Sequence, residues 1–148
     1  MRDIHSNLRV LRAIFPQAIG TSGIANGSLS PVLDIRGYDS AEFVVSHGTA
    51  GATGDTTSVV VYECDTTGGS FTSVADADLK GLEADAGLPA QATSRTSGVG
   101  KNIARKIGYI GRKPYLKIRL YGTGHATGLV AANLILANAN RAPVASGT

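Results

Sequence analysis

Tryptophan is missing from this chain and aromatic residues are scarce, at 5% of 148 positions, although 43% of the residues are hydrophobic. A core made from such a chain rests on Val, Ile, Leu and Ala, whose burial contributes roughly 25 cal/mol per Å² of apolar surface. Cysteine is nearly absent as well. Cys64 stands alone, which excludes an intramolecular disulfide and the disulfide-dense secreted scaffolds, and fits assembly in a reducing cytoplasm. No apolar run approaches the roughly 20 residues that span a bilayer. The longest candidate, residues 129–139, is interrupted by Asn133 and Asn138. Residues 1–14 carry Arg2, Asp3, Arg9 and Arg12 and no apolar segment of signal-peptide length, so no export signal is expected. Acidic residues are absent from position 86 onward, where nine basic ones fall, whereas residues 39–85 hold nine acidic residues against one basic, Lys80. Such asymmetry marks a polyanion-binding face, two patches that meet when copies of the chain associate, or two regions that pair within one fold.

What the chain does have is glycine. Its 19 glycines cluster with Ser, Thr, Asn and Asp between apolar runs, where they supply turn geometry rather than a disordered tail. The length fits one domain over residues 1–148. Residues 7–14 alternate as a strand, with Leu8, Val10 and Arg12 on one side and Pro16 breaking the pattern. Residues 32–35 form a short strand that turns at Gly37 and pairs with residues 42–47. Residues 48–56 are expected to be a hairpin tip. The clearest strand is 57–63, with Val59, Val60, Val61 and Tyr62 in sequence, and it belongs near a sheet centre. A short strand at 71–75 and one helical turn within 76–82 follow. Residues 83–100 read as a long loop, and 103–110 and 115–121 as two strands around the turn 111–114. In the second, Tyr115, Lys117, Arg119 and Tyr121 alternate with Leu116, Ile118 and Leu120, which sends one set to solvent and the other to the core. Residues 129–137 permit helix or strand, with a return strand favoured. The expected fold is all-β: an antiparallel β-sandwich or jelly-roll-like domain with long Gly-rich loops, an extended N-terminal arm (1–12) and an exposed C-terminal tail (138–148).

The motifs of catalysis and cofactor binding each fail at a specific residue. The segment 97–102 looks like a phosphate loop, but Arg95 stands where its first Gly belongs and Asn102 where Ser or Thr would hold magnesium. In the segment 122–128 the third Gly is one place late for a dinucleotide fingerprint and no acidic residue follows to hold a ribose. His5, His47 and His125 are isolated singletons without metal-ligand spacing. Asp76, Asp78, Glu83 and Asp85 lack the Gly and closing Glu of a calcium loop, and read as a solvated acidic loop. Cys64 adjoins Glu63 and Asp65, which disfavour a thiolate nucleophile, so it reads as a small structural residue. No enzyme, cofactor or metal is therefore expected. One constellation remains: Lys101, Arg105, Lys106, Arg112, Lys113, Lys117 and Arg119 interleave with Tyr109, Tyr115 and Tyr121. Cations beside tyrosines can hold phosphates and stack bases, but no nucleic-acid-binding signature is present. Contact with protein ranks ahead of nucleic acid.

The opening residues 1–7 with Arg12, Ala13 and Ile14, the middle segment 71–79, the segment 107–116 (IGYIGRKPYL) and the ending 140–144 (NRAPV) resemble small structural proteins of tailed phages and prophages. The resemblance runs through nearly the whole chain in the same order. It implies a virion protein, similar to those encoded among head genes, which sits on the capsid exterior as a decoration or cement subunit and is assembled in the host cytoplasm. Its partners would be the major capsid protein and copies of itself, with a trimer by analogy. The contact residues expected are Arg2, Arg9 and Arg12 in the N-terminal arm and Arg105, Arg112, Lys113, Tyr115, Lys117 and Arg119 in the basic strand pair, with the loop 83–100 beside them. The alternatives are a tail or neck component and, in a different class, a carbohydrate- or nucleic-acid-binding β-module. Against the carbohydrate reading stand the missing Trp and only three Phe.

Overall fold

The computed structural model describes residues 4–19, 27–48, 54, 56–89, 102–123 and 128–140. In the described residues, β1 spans Leu8–Ala18, β2 Ser28–Leu29, β3 Leu33–Asp34, β4 Tyr38–His47, β5 Thr56–Cys64, β6 Thr72–Ser73 and β7 Leu79–Lys80. A single helical turn, α1, spans Glu83–Ala86, and β8 Ile103–Tyr109, β9 Tyr115–Thr123 and β10 Leu129–Ala139 complete the chain. Two five-stranded sheets form, both antiparallel. Sheet A has the order β1-β10-β4-β8-β7, and sheet B the order β2-β9-β5-β6 with β3 also on β9. The chain crosses between the sheets after β1, β3, β4, β6, β8 and β9, and the resulting order of sheet A against sheet B is the winding of a jelly roll.

Period-two alternation decides which side chains fill the space between the sheets. Ala41, Phe43, Val45 and His47 of β4 are buried, as are Val130, Ala132, Leu134 and Leu136 of β10. Leu134, Phe43 and Ile107 lie in one cross-strand row of sheet A, and Val61 pairs with Ile118 in sheet B. All five are fully buried. Each contributes about 1.5–3 kcal/mol relative to exposure. The open side of the sandwich is closed by α1, which packs on β5 and β8. Val61 N–H donates to Glu83 Oε1 at 2.7 Å, His47 Nε2 donates to the Ala86 carbonyl at 2.8 Å, and Leu88 exchanges backbone bonds with Thr57. These contacts cover the edge of β5 beyond the short β6, so that edge offers no template to another chain.

The jelly-roll winding corrects several expectations drawn from sequence neighbours. The strand near 32–35 does not pair with 42–47: β3 lies on β9 in sheet B, while β4 lies between β10 and β8 in sheet A. The turn at Arg36–Gly37 is thus a corner between sheets, with Gly37 at φ +87° and Asp34 Oδ1 accepting the Arg36 N–H at 3.0 Å. For the same reason 48–56 is not a hairpin tip, since β4 and β5 belong to different sheets. The turn 111–114 likewise joins sheets, and β10 is a strand whose partners are β1 and β4 rather than β9. The helical turn expected in 76–82 is a three-residue 3-10 turn, Asp76–Asp78. Residues 8–12 are no extended arm. They form the first half of β1, bonded to β10 with Arg9 opposite Leu136 and Leu11 opposite Leu134. The strand also runs past Pro16, because two register shifts, between Arg12 and Ile14 and between Ile14 and Gln17, absorb the proline at a sheet edge. Asn138 and Ala139 close β10 and so do not belong to the expected tail, whose residues 141–148 lie outside the described ones. The loop 83–100 begins with α1 and the Leu88 bridge, and its residues 90–100 lie outside the described ones.

Candidate functional site

The alternation of β9 sends Leu116, Ile118 and Leu120 into the core and turns Tyr115, Lys117, Arg119 and Tyr121 onto the outer face of sheet B. There Lys117 stands opposite Tyr62, Arg119 opposite Val60 and Tyr121 opposite Ser58. The cations are not isolated. Lys117 Nζ lies 4.2 Å from the centre of the Phe71 ring, and the Arg36 guanidinium 5.2 Å from that of Tyr115. A cation over an aromatic face is held by the ring quadrupole, which keeps the charge in place at the surface. Arg36 covers Tyr115, which is buried although it belongs to the outer row.

The second charged region follows β1. Its long outer edge has no neighbouring strand among the described residues. A cleft of about 690 Å³ runs beside it, lined by Arg9, Val10, Leu11 and Arg12 of β1, by Val32, Leu33, Asp34 and Arg36 across from them, and by Asn133. Arg36 grips Asp34 with two nitrogens, Nη2 to Oδ2 at 2.6 Å and Nε to Oδ1 at 2.9 Å. The hydrogen bonds from Arg36 hold the Asp34 carboxyl below its usual range against an opposing effect of burial, and the positive charges of Arg36 and Arg9 add to them. Arg9 has a buried Nε with no acceptor among the described residues. Its guanidinium keeps donor capacity for a further acceptor.

Between the sheets, the corner that joins β8 to β9 is held by a polar network. Tyr109 OH donates to Glu63 Oε2 at 2.7 Å and accepts the Lys113 N–H at 2.9 Å. Lys113 Nζ lies 3.6 Å from Glu63 Oε1 and 3.9 Å from Asp65 Oδ2. Burial first, and then the bond to Glu63, raise the Tyr109 phenol well above its ordinary range, so it stays a protonated donor. Gly111 is required at this corner because a Cβ there would meet the Tyr109 ring. Cys64 is a buried thiol, and a Cβ on Gly69 would press on its sulfur.

The basic cluster expected from sequence is divided by the fold. Arg105 and Lys106 lie on β8 in sheet A, Arg112 and Lys113 in the corner, and Tyr115, Lys117 and Arg119 on β9 in sheet B. Lys106 pairs with Glu42 at 3.2 Å on the outer face of sheet A, and Lys113 is committed to Glu63. These residues therefore form no single basic face. Arg9 and Arg12 do share one cleft, while Arg2 and Lys101 lie outside the described residues. Sequence reasoning missed Arg36 and Asp34, whose i, i+2 spacing at a Gly turn was their signal, and it missed the exposure of Val10 and Phe15. Among the described residues no group of three His, Cys, Asp or Glu could hold a metal ion, and no helix is long and apolar enough to cross a membrane.

No protein-family model matches the chain, and no curated protein matches it. Among solved structures, the chain is similar to the CBM22-1 and GH10 modules of endo-1,4-β-D-xylanase 10B from Clostridium thermocellum, determined with xylohexaose. The TM-score is 0.52 at 14% identity. That likeness covers 98% of this chain and 29% of the other. At this identity the likeness extends to architecture alone. This chain has the β-sandwich fold.

Proposed function

We propose that the chain is a non-enzymatic virion structural protein, a decoration or cement subunit on the capsid of a tailed phage, bound through the major capsid protein and copies of itself. The observation that carries this reading is the β1 edge. It is an eleven-residue edge strand with Val10 and Phe15 on it and Ile4 just ahead of it each more than half exposed, and with a basic cleft along it. Long edges with exposed apolar side chains are templates for another chain, and soluble monomers blunt them. Here only the second half is blunted, by the two register shifts and Pro16. A cement subunit works by adding buried area between neighbours without chemistry, and binding to the assembled state stabilises that state by mass action. Repetition around a symmetric head converts modest single contacts into avidity. The buried thiol of Cys64 and the sequence resemblance to head proteins are consistent with cytoplasmic assembly and a place on the capsid surface.

The test is the copy number and position of the protein in purified particles, by quantitative gel and particle imaging. Copies distributed over the whole head are expected. A few copies at one vertex, or copies only on the tail, would overturn decoration in favour of a neck or tail component. A second reading, a carbohydrate-binding module, is favoured by the fold shared with the xylanase structure and by Tyr62 and Tyr121 at the face of sheet B. Saturable binding of xylo-oligosaccharides or another glycan by the isolated protein would promote it.

A further inference from the structure

The large apolar side chains left exposed are not scattered. Ile4, Val10 and Phe15 precede or belong to β1, and Leu129 pairs with Ala18 at the far end of that strand. Leu82 and Ile110 flank β7 at the opposite edge of sheet A, where Ile110 N–H donates to the Asp78 carbonyl at 2.9 Å. Among the described residues Leu29, on β2, is the one elsewhere. The two edges carry opposite charge. The β1 edge presents Arg9 and Arg12, while Arg36 across the cleft is paired with Asp34; the segment 76–86 presents Asp76, Asp78 and Asp85 against Lys80, with Glu83 turned inward onto the Val61 N–H.

We propose that copies of this chain associate head to tail through these edges, the β1 edge and its cleft on one copy receiving the acidic segment 76–86 of the next. This rests on the assembling role proposed above and specifies its geometry. Each edge combines apolar side chains with a net charge of one sign, and the partner edge supplies the complement, so desolvated apolar contact is flanked by Arg–carboxylate pairs. Arg9 and Arg12 find acceptors, and Val10 and Phe15 find Leu82 and Ile110. The Leu8–Arg12 half of β1, ahead of the first register shift, also offers backbone groups to an incoming segment. Pairing β1 with β1 of a second copy is the poorer arrangement, because it sets arginines against arginines. Unlike edges on opposite sides of one sheet make a heterologous contact, which closes into a ring when the rotation between copies allows it.

The experiment uses the full chain and two exposed-surface variants, V10E/R12E at the β1 edge and L82S/D85S at the acidic edge. Native mass spectrometry gives the oligomeric state, and circular dichroism melts establish that each variant folds. The wild type is expected to form an oligomer and each variant alone a monomer. An equal mixture of the two is expected to form a heterodimer and nothing larger, because one intact pair of edges remains. A monomeric wild type, either variant assembling alone, or a mixture that stays monomeric would overturn the proposal. A monomeric wild type that still coats phage heads, with V10E/R12E losing that binding, would assign the β1 edge to the capsid protein. That outcome removes the head-to-tail contact and leaves decoration standing.

Discussion

Two residues show how buried polar chemistry is tuned in this sandwich. Tyr109 belongs to sheet A yet ends on Glu63 of sheet B, so its hydroxyl ties the layers at the corner before β9. Replacing it with Phe removes the donor to a buried carboxylate and the acceptor of the Lys113 N–H, and we expect Tyr109→Phe to lower stability by about 1–3 kcal/mol in urea unfolding. An unchanged midpoint would show that the corner relaxes without the bond. Glu83 is the opposite case. Burial, the larger effect, raises its carboxyl above the ordinary value against the bond from Val61 N–H, and the nearby Asp76 charge raises it further. A carboxyl with a raised folded pKa contributes most below its unfolded pKa, and the contribution is lost as pH rises through the folded value. Glu83→Gln keeps an acceptor for Val61 and removes the charge. Thermal melts are therefore expected to show the variant equal to or more stable than the wild type near neutral pH, with the difference shrinking in mild acid. A gap that widens in acid would contradict this. Asp34 has the reverse sign: its lowered pKa gives stability present above the unfolded value and lost as pH falls through the folded one.

At the scale of elements, what was legible in the sequence is what local periodicity encodes. The alternation of residues 115–121 separated the core residues Leu116, Ile118 and Leu120 from Lys117, Arg119 and Tyr121, though Tyr115 is buried under Arg36, and the β-branched run at 59–61 marked β5, which lies inside sheet B between β9 and β6. The preference for strand over helix at 129–137 also holds, since β10 spans Leu129–Ala139. Pairing was not legible. Short turns such as 36–37 and 111–114 suggest hairpins, and nothing in their residues separates a hairpin from a corner that carries the chain to the other sheet. This is why the basic strand pair expected as one contact surface is spread over two sheets. The alternation at 7–14 marked β1, but its place at the edge of sheet A did not show, so residues 8–12 were also expected as part of an arm: Arg9 and Arg12 look solvated, while Leu11 beside them packs against the core. Charge asymmetry along the chain was visible before any fold, but its basic half is divided between β8 in sheet A and β9 in sheet B, and the arginines of β1 lie outside it.

For the whole molecule, the two assembly tests are independent. Particle imaging asks where the subunit sits, and the mixing experiment asks how copies touch. The fold itself adds one more expectation, which follows from the place of β10. Among the described strands β10 comes last and lies between β1 and β4, so β1 has no strand partner there until residues near 129–137 are present. Contacts of such sequence separation make folding slow. A chain ending before position 129 is expected to be protease-sensitive and without cooperative unfolding, and a protected, cooperatively melting fragment would disprove the dependence. During translation, then, β1 waits with its apolar side chains uncovered until residues 129–137 have emerged from the ribosome. The time between release and burial is when a helper protein, or premature contact between nascent copies on one messenger, has the greatest influence on yield.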